Sequence, residues 1–174
     1  MIFKQSMKVW KNLIVGTLLV YYVLNHMLCF GSDNSRSEKY LDEAIFEGSM
    51  GNHDKAIQLL EKAIESNPKC FRCFRNLGIA YGNKRNYEKA ITYFNEALKI
   101  NPKDNVSFYY LGLIEAKREN YGKAIKYYLE ALKYGDYPET RFMLGMAYML
   151  NSQPKGAISE VYRAGEMFKV EGNS

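Results

Sequence analysis

The fold is decided by the stretch from Asn86 to Pro102, NYEKAITYFNEALKINP. Its apolar residues recur at the i, i+3, i+4 and i+7 spacing that places them on one face of an α-helix. They are Tyr87, Ala90, Ile91, Phe94, Ala97 and Leu98. Pro102 ends the helix, because proline has no amide hydrogen and disfavours a helical residue before it. The stretch therefore predicts an amphipathic helix whose apolar face packs against a neighbour.

The same pattern recurs along the chain at a fixed interval. Two sets of alanines are each spaced 34, 34 and 33 residues apart: Ala56, Ala90, Ala124 and Ala157, and Ala63, Ala97, Ala131 and Ala164. A set of glycines lies ahead of the last three blocks at the same period: Gly78, Gly112 and Gly145. Small residues at fixed places let two helices approach closely. Each unit is thus predicted to be a helix pair, stable only when stacked on its neighbours.

The pattern resembles the tetratricopeptide repeat over residues 37–171, in units 37–70, 71–104, 105–137 and 138–171. The second unit matches most fully, through Phe74, Leu77, Gly78, Tyr81, Ala90, Phe94, Ala97 and Pro102. Glu43 and Glu47 depart from the pattern in the first unit, and Glu115 in the third, where it is expected either at a helix edge beside a lysine or as a polar interior group. The resemblance implies an all-α superhelix with a concave groove lined by the first helix of each unit.

The amino terminus differs from the rest of the chain. Three lysines precede a run of eighteen uncharged residues from Leu13 to Phe30, about 27 Å of helix against a hydrocarbon thickness of about 30 Å. Residues 1–31 are therefore predicted to be an uncleaved membrane anchor or a cleaved secretion signal, with lipidation at Cys29 a less favoured variant and a buried core helix the remaining alternative. Residues 32–36 are predicted to be a polar linker. The lysines place the amino terminus in the cytoplasm and the repeats outside it, membrane-anchored or exported.

Two of the three cysteines lie in the stretch PKCFRCF, residues 68–74. The repeat period places Cys70 in the turn after one helix and Cys73 in the first turn of the next. Three interpretations stay open: small packed or loop cysteines, a local disulfide in an oxidising compartment, and a redox or metal site. Zinc would need further ligands, and His53 is expected about 25 Å away along its helix.

The sequence contains no other constellation of enzyme chemistry. It has no phosphate-binding glycine loop and no metalloprotease motif, so no catalytic residue, metal or cofactor is predicted. Three of the 24 basic residues precede residue 12, and the remainder nearly balance the 19 acidic ones. Nucleic acid is therefore not an expected partner.

The inner faces of the first helices form the predicted peptide-binding groove. Helical spacing assigns to it Arg72, Arg75, Asn76, Ile79, Asn83, Val106, Tyr109, Tyr110, Leu113, Lys117, Phe142, Met143, Met146, Met149 and Leu150. Acidic groups of a partner are expected near Arg72 and Arg75, and apolar anchors near Met143 and Met146. Glu139 and Met143 stand where relatives that hold chaperone tails have basic residues, so that ligand is disfavoured.

The expected function is that of a non-catalytic adaptor or scaffold that binds a protein segment. One alternative is a structural subunit that self-associates or docks in a larger complex, because no polar helix covers the last repeat and Val161, Met167 and Phe168 are expected to be partly exposed. A more distant alternative is a redox protein that uses Cys70 and Cys73.

Overall fold

The structure, a computed structural model, describes residues 34–171, which are helical apart from the turns between helices. The eight helices are α1 at residues 34–49, α2 (His53–Ser66), α3 (Phe71–Asn83), α4 (Tyr87–Ile100), α5 (Asn105–Lys117), α6 (Tyr121–Tyr134), α7 (Pro138–Leu150) and α8 (Pro154–Glu171). Across these residues, no helix has both the length and the apolar character needed to cross a bilayer. The predicted anchor or signal, residues 1–31, lies outside the described residues.

One sequence boundary differs from the structure. Residues 34–36 were assigned to the linker, but they are helical and belong to α1. Asn34 Oδ1 accepts a hydrogen bond of 3.0 Å from Asn67 Nδ2 at the end of α2, and Ser37 Oγ donates to Ala63 O at 2.9 Å. The first turn of α1 is thus held against α2 by polar contacts that hydrophobic periodicity does not reveal.

The two helices of each repeat approach most closely at the small-residue positions. A Cβ added to Gly112 would lie 2.6 Å from Tyr128 Cε1, and one added to Gly78 would lie 2.8 Å from the Phe94 ring. All eight alanines of the two predicted sets are buried. In the second and third repeats the aromatic ring from the second helix occupies the space that the glycine leaves, so the seam is a ring against bare backbone. In the fourth repeat Val161 takes the place of the ring against Gly145.

The helix pairs stack into a solenoid whose inner side is formed by the first helices. Each second helix contacts the first helix of the following repeat, and α5 also contacts both α3 and α7. Among the described helices α2 to α8, successive second helices make no such contact. The first helices therefore lie on the shorter, concave side, which agrees with the expected groove.

The turn inside each helix pair is the same in all four repeats. A residue in the left-handed region occupies each turn, at Gly51, Arg85, Glu119 and Ser152. In the second repeat, Asn86 N donates to Tyr81 O at 2.9 Å and Arg85 N donates to Gly82 O at 2.9 Å. These two bonds define the Schellman motif, which satisfies the carbonyls at the end of the first helix.

Two of the three acidic departures from the repeat pattern, Glu47 and Glu115, have a common structural explanation, whereas the third, Glu43, is exposed. Glu115 is buried, and its Oε2 accepts a 2.8 Å hydrogen bond from Asn120 Nδ2. Glu47 accepts in the same way from Asn52 at 2.8 Å. Where tyrosine fills this position, at Tyr81, the matching Asn86 instead caps α4. Glu115 is thus a polar interior group, the second of the two expectations.

Candidate functional site

The amino-terminal part of the groove holds a small pocket with both polar and apolar lining residues. A cavity of about 260 Å³ lies between α1, α2 and α3, and the predicted residues Asn76, Ile79 and Asn83 line it together with Ser49 and His53. Asn76 Nδ2 donates to Arg72 O at 2.8 Å, so this amide is fixed by its own helix. His53 could not be predicted as a lining residue from the inner faces of the first helices, because it begins the second helix α2.

The two arginines expected to receive acidic groups are engaged within the chain. Arg75 Nη1 lies 2.9 Å from Asp104 Oδ1, and Asp104 is buried and also accepts from the Ser107 amide and hydroxyl. Arg72 forms an exposed ion pair with Glu38 at 3.0 Å. Both guanidinium groups that were expected to meet acidic partner groups are therefore already paired, Arg72 with Glu38 of the first repeat and Arg75 with the Asp104 that caps α5.

The middle of the groove is built by α5, which is apolar on nearly every face. Tyr110 stacks on Phe94 with ring centroids 5.6 Å apart, and Tyr109 meets Tyr110 edge-on at 5.4 Å. Burial, followed by the neighbouring Tyr110 and Glu139, raises the pKa of Tyr109. Both rings are half-buried, so they present fixed aromatic surface to the groove while contributing to the core.

A second cavity, which we call the tyrosine pocket, lies between α5 and α7. It has a volume of about 340 Å³ and is lined by Asn105, Val106, Tyr109, Tyr110, Tyr137, Glu139 and Thr140. Sequence reasoning assigned Val106, Tyr109 and Tyr110 to the groove but missed the other four. Tyr137 lies in a turn before α7 and Asn105 begins α5, so the inner-face spacing of a helix did not include them.

The carboxyl-terminal part of the groove is apolar and exposed. Met143 is half-buried and packs with Leu113 against the core of the third and fourth repeats. The other predicted residues of α7 remain exposed: Phe142, Met146, Met149 and Leu150. Lys117 and Asn83 are exposed at the carboxyl ends of their helices. The first helices thus carry polar and basic residues on α3, aromatic residues on α5 and methionines on α7.

The two cysteines of PKCFRCF are joined to each other. Cys70 and Cys73 form a disulfide with Cα atoms 5.3 Å apart, and both residues are buried. Cys70 is also the residue that caps α3, since its Sγ accepts a 3.1 Å hydrogen bond from Cys73 N. Among residues 34–171, no group of three or more histidine, cysteine or acidic residues is arranged to hold a metal ion.

Comparisons with known proteins agree with this architecture. The chain is similar to the crystal structure of MamA, with a TM-score of 0.72, 20% identity, and coverage of 83% of this chain and 85% of that one. It is similar to MamA 41-end from Desulfovibrio magneticus RS-1, with a TM-score of 0.67, 18% identity, and coverage of 77% and 76%. For pilF of Pseudomonas aeruginosa the values are 0.71, 19%, 76% and 61%. At these identities the likeness concerns the fold alone.

Comparison of the sequence with models of protein families identifies the family of this chain. A search of curated protein sequences finds no match. Three family models described as tetratricopeptide repeat match residues 40–70, 71–104 and 109–167. They extend over nearly all the residues that the structure describes, and the chain belongs to the tetratricopeptide repeat family.

Proposed function

We propose that this protein is a non-catalytic adaptor, membrane-tethered or exported, that holds a segment of a partner protein in the groove of α3, α5 and α7. The observation that carries the proposal is the exposed apolar surface of α7. Phe142, Met146 and Met149 leave methionine and aromatic side chains in water next to the tyrosine pocket. Surfaces of this composition suit adaptable protein contacts, and a folded monomer gains nothing internally from exposing them.

The disulfide supports the compartment part of the proposal. Bonds of this kind persist in oxidising environments such as the periplasm or the cell exterior and are rare in the cytosol. A repeat domain outside the cytoplasm would keep Cys70 and Cys73 joined. Thiol labelling of intact cells with and without reductant would check this: labelling of both cysteines without reductant would contradict it.

The adaptor function is tested by capture of a partner with the full chain. Met146→Arg places a charge in the groove, and Leu129→Arg places one at a similarly exposed position on the second helix α6. The proposed function predicts that Met146→Arg abolishes capture of a partner from detergent extracts whereas Leu129→Arg retains it. Equal capture by both variants would show that the groove is not the binding surface.

A structural assembly subunit is the second candidate, and one comparison within the chain favours it. Ile57 and Ile125 occupy equivalent positions on their second helices and are 7% and 8% exposed, because the next repeat covers them. Ile158 occupies the same position on α8 and is 71% exposed. If this face docks on another protein or copy, Ile158→Arg should abolish association that Met146→Arg leaves intact, as measured by light scattering of the full chain.

A further inference from the structure

We propose that the tyrosine pocket binds a cationic side chain, an arginine or a lysine, of the protein segment that lies in the groove. This inference rests on the proposed adaptor function and names the chemistry of its ligand. The sequence predicts acidic partner groups near Arg72 and Arg75, at the other end of the groove, whereas the tyrosine pocket is proposed to bind a basic group.

The walls of the pocket suit a cation. Tyr109, Tyr110 and Tyr137 line it, and the faces of aromatic rings carry the negative part of a quadrupole that attracts lysine and arginine. The volume of about 340 Å³ is at the small end of the range for ligand pockets. It suits one long side chain rather than a large molecule.

The charge of the pocket also favours a cation. Among the described residues that line it, Glu139 alone carries a formal charge. No basic group within residues 34–171 forms an ion pair with Glu139. By contrast, the nearby Arg75, Asp104 and Arg141 are all paired. A cation in the pocket would therefore meet an uncompensated carboxylate and aromatic faces together.

One guanidinium group of the chain, that of Arg75, already contacts both an aromatic ring and a carboxylate. The Arg75 guanidinium carbon lies 5.7 Å from the centre of the Phe71 ring, while its Nη1 lies 2.9 Å from Asp104 Oδ1. The tyrosine pocket offers the same two kinds of contact. Tyr109 and Tyr137 supply aromatic rings, and Glu139 supplies the carboxylate. There, however, no arginine of residues 34–171 is paired with the carboxylate.

The turn that carries Tyr137 lacks the side-chain cap found before α3 and α5, and α7 begins at Pro138 instead. The residue before α3 is Cys70 and the residue before α5 is Asp104, and both accept a capping hydrogen bond. Tyr137 stands at that place before α7, accepts no such bond and is 51% exposed. Gly135 makes room for it, because a Cβ there would lie 2.4 Å from Tyr137 Cε2. A cap is thus replaced by a ring that faces the pocket, a departure typical of functional sites.

Binding of a small cation tests the pocket directly. The full chain, labelled at its tyrosine rings, would be titrated with N-acetylarginine amide and with the neutral, nearly isosteric N-acetylcitrulline amide, and NMR shifts of Tyr109, Tyr110 and Tyr137 recorded. We expect saturable shifts with the arginine compound and at least fivefold weaker binding of the citrulline compound. Equal shifts with both compounds, or none at these rings, would overturn the proposal.

The carboxylate is tested with a matched pair of variants. Glu139→Gln removes the charge in the pocket. Glu88→Gln removes the first-turn acid of α4, which pairs with Arg118 at 3.8 Å and lines neither the tyrosine pocket nor the amino-terminal pocket. An ion pair of this exposure corresponds to about a fivefold change in affinity. We expect that loss for Glu139→Gln and none for Glu88→Gln, and an equal effect of the two variants would contradict the role of Glu139.

Selection from a random peptide library separates this inference from the adaptor function. Peptides selected on the full chain and lost on Met146→Arg would support groove binding. Arginine or lysine at one fixed position, lost when selection uses Glu139→Gln, would support the cation pocket. Groove-dependent peptides without a fixed basic residue would overturn the inference and leave the adaptor function standing, whereas no groove-dependent peptide would count against both.

Discussion

Replacement of Gly112 by alanine should destabilise the protein even though alanine is the better helix former. The added Cβ would lie 2.6 Å and 2.7 Å from two carbons of the Tyr128 ring, closer than real Cβ contacts allow. Tyr128 is 1% exposed, so its ring has no free space to enter. Overpacking of a core costs about 1–3 kcal/mol, and because the added Cβ overlaps two carbons of a buried ring we take the upper part of that range, about 2–3 kcal/mol. The gain in helix propensity offsets roughly 1 kcal/mol of it.

The expected net loss is therefore about 1–2 kcal/mol, or a midpoint lower by roughly 3–8 °C for a domain of this size. Thermal unfolding of the full chain followed by circular dichroism would measure it. The matched control is Gly165→Ala in α8, where nothing lies within 4 Å of the added Cβ. That variant should gain about 0.5–1 kcal/mol from helix propensity alone.

A double variant makes the test specific to the seam. The first repeat has Ala44 and Leu60 at the positions of Gly112 and Tyr128, and both are buried. Gly112→Ala combined with Tyr128→Leu should thus be more stable than the sum of the two single variants predicts, by about 1 kcal/mol or more. Additive losses, or a Gly112→Ala variant as stable as the wild type, would refute the close-packing argument.

Three further predictions concern turns, ion pairs and pH. Glu119→Gly should stabilise the fold and Gly51→Ala should destabilise it, each by about 1 kcal/mol, because both residues have positive φ; urea unfolding would detect both changes. Asp104→Ala should cost about 2–3 kcal/mol in the same assay, since it removes the cap of α5 and the partner of Arg75. Burial raises the pKa of Tyr128 above its ordinary value of 10.0, so its contribution is full below about pH 10 and is lost as pH rises further. Tyr128→Phe should accordingly flatten the fall in stability on the alkaline side, and an unchanged slope would contradict this.

The packing seams could be predicted from sequence because they depend on one residue type at a fixed interval. Gly78, Gly112 and the two alanine sets were identified from spacing alone, and the structure places each at a helix contact. The size of a side chain at a close contact follows from the residue type at that position, so it can be read directly from the sequence. Periodicity therefore predicted the helix pairs, whereas the concave side was implied by the resemblance to the tetratricopeptide repeat.

Other features could not be predicted because they depend on ion pairs and turns, which the spacing of small and apolar residues does not reveal. Arg75 was expected to face a ligand, yet a carboxylate 29 positions further on compensates its charge. The left-handed turns at Arg85 and Glu119 carry no glycine, so the usual signal of a Schellman turn was absent. Tyr137 belongs to a turn, where the inner-face pattern of a helix does not apply. Glu139 holds in α7 the position of Val106 in α5, but it was not assigned to the groove.

The departures from the repeat therefore divide into two kinds. Glu115 replaces a tyrosine, but Asn120 bonds to it, so that the substitution is satisfied within the chain. Tyr137 replaces a capping residue and forms no capping bond, and the exposed Glu139 has no ion-pair partner among residues 34–171. A departure that a contact within the chain compensates is an alternative way to pack, whereas these two leave exposed groups available to a partner. We therefore expect the tyrosine pocket to determine which partner segments bind in the groove.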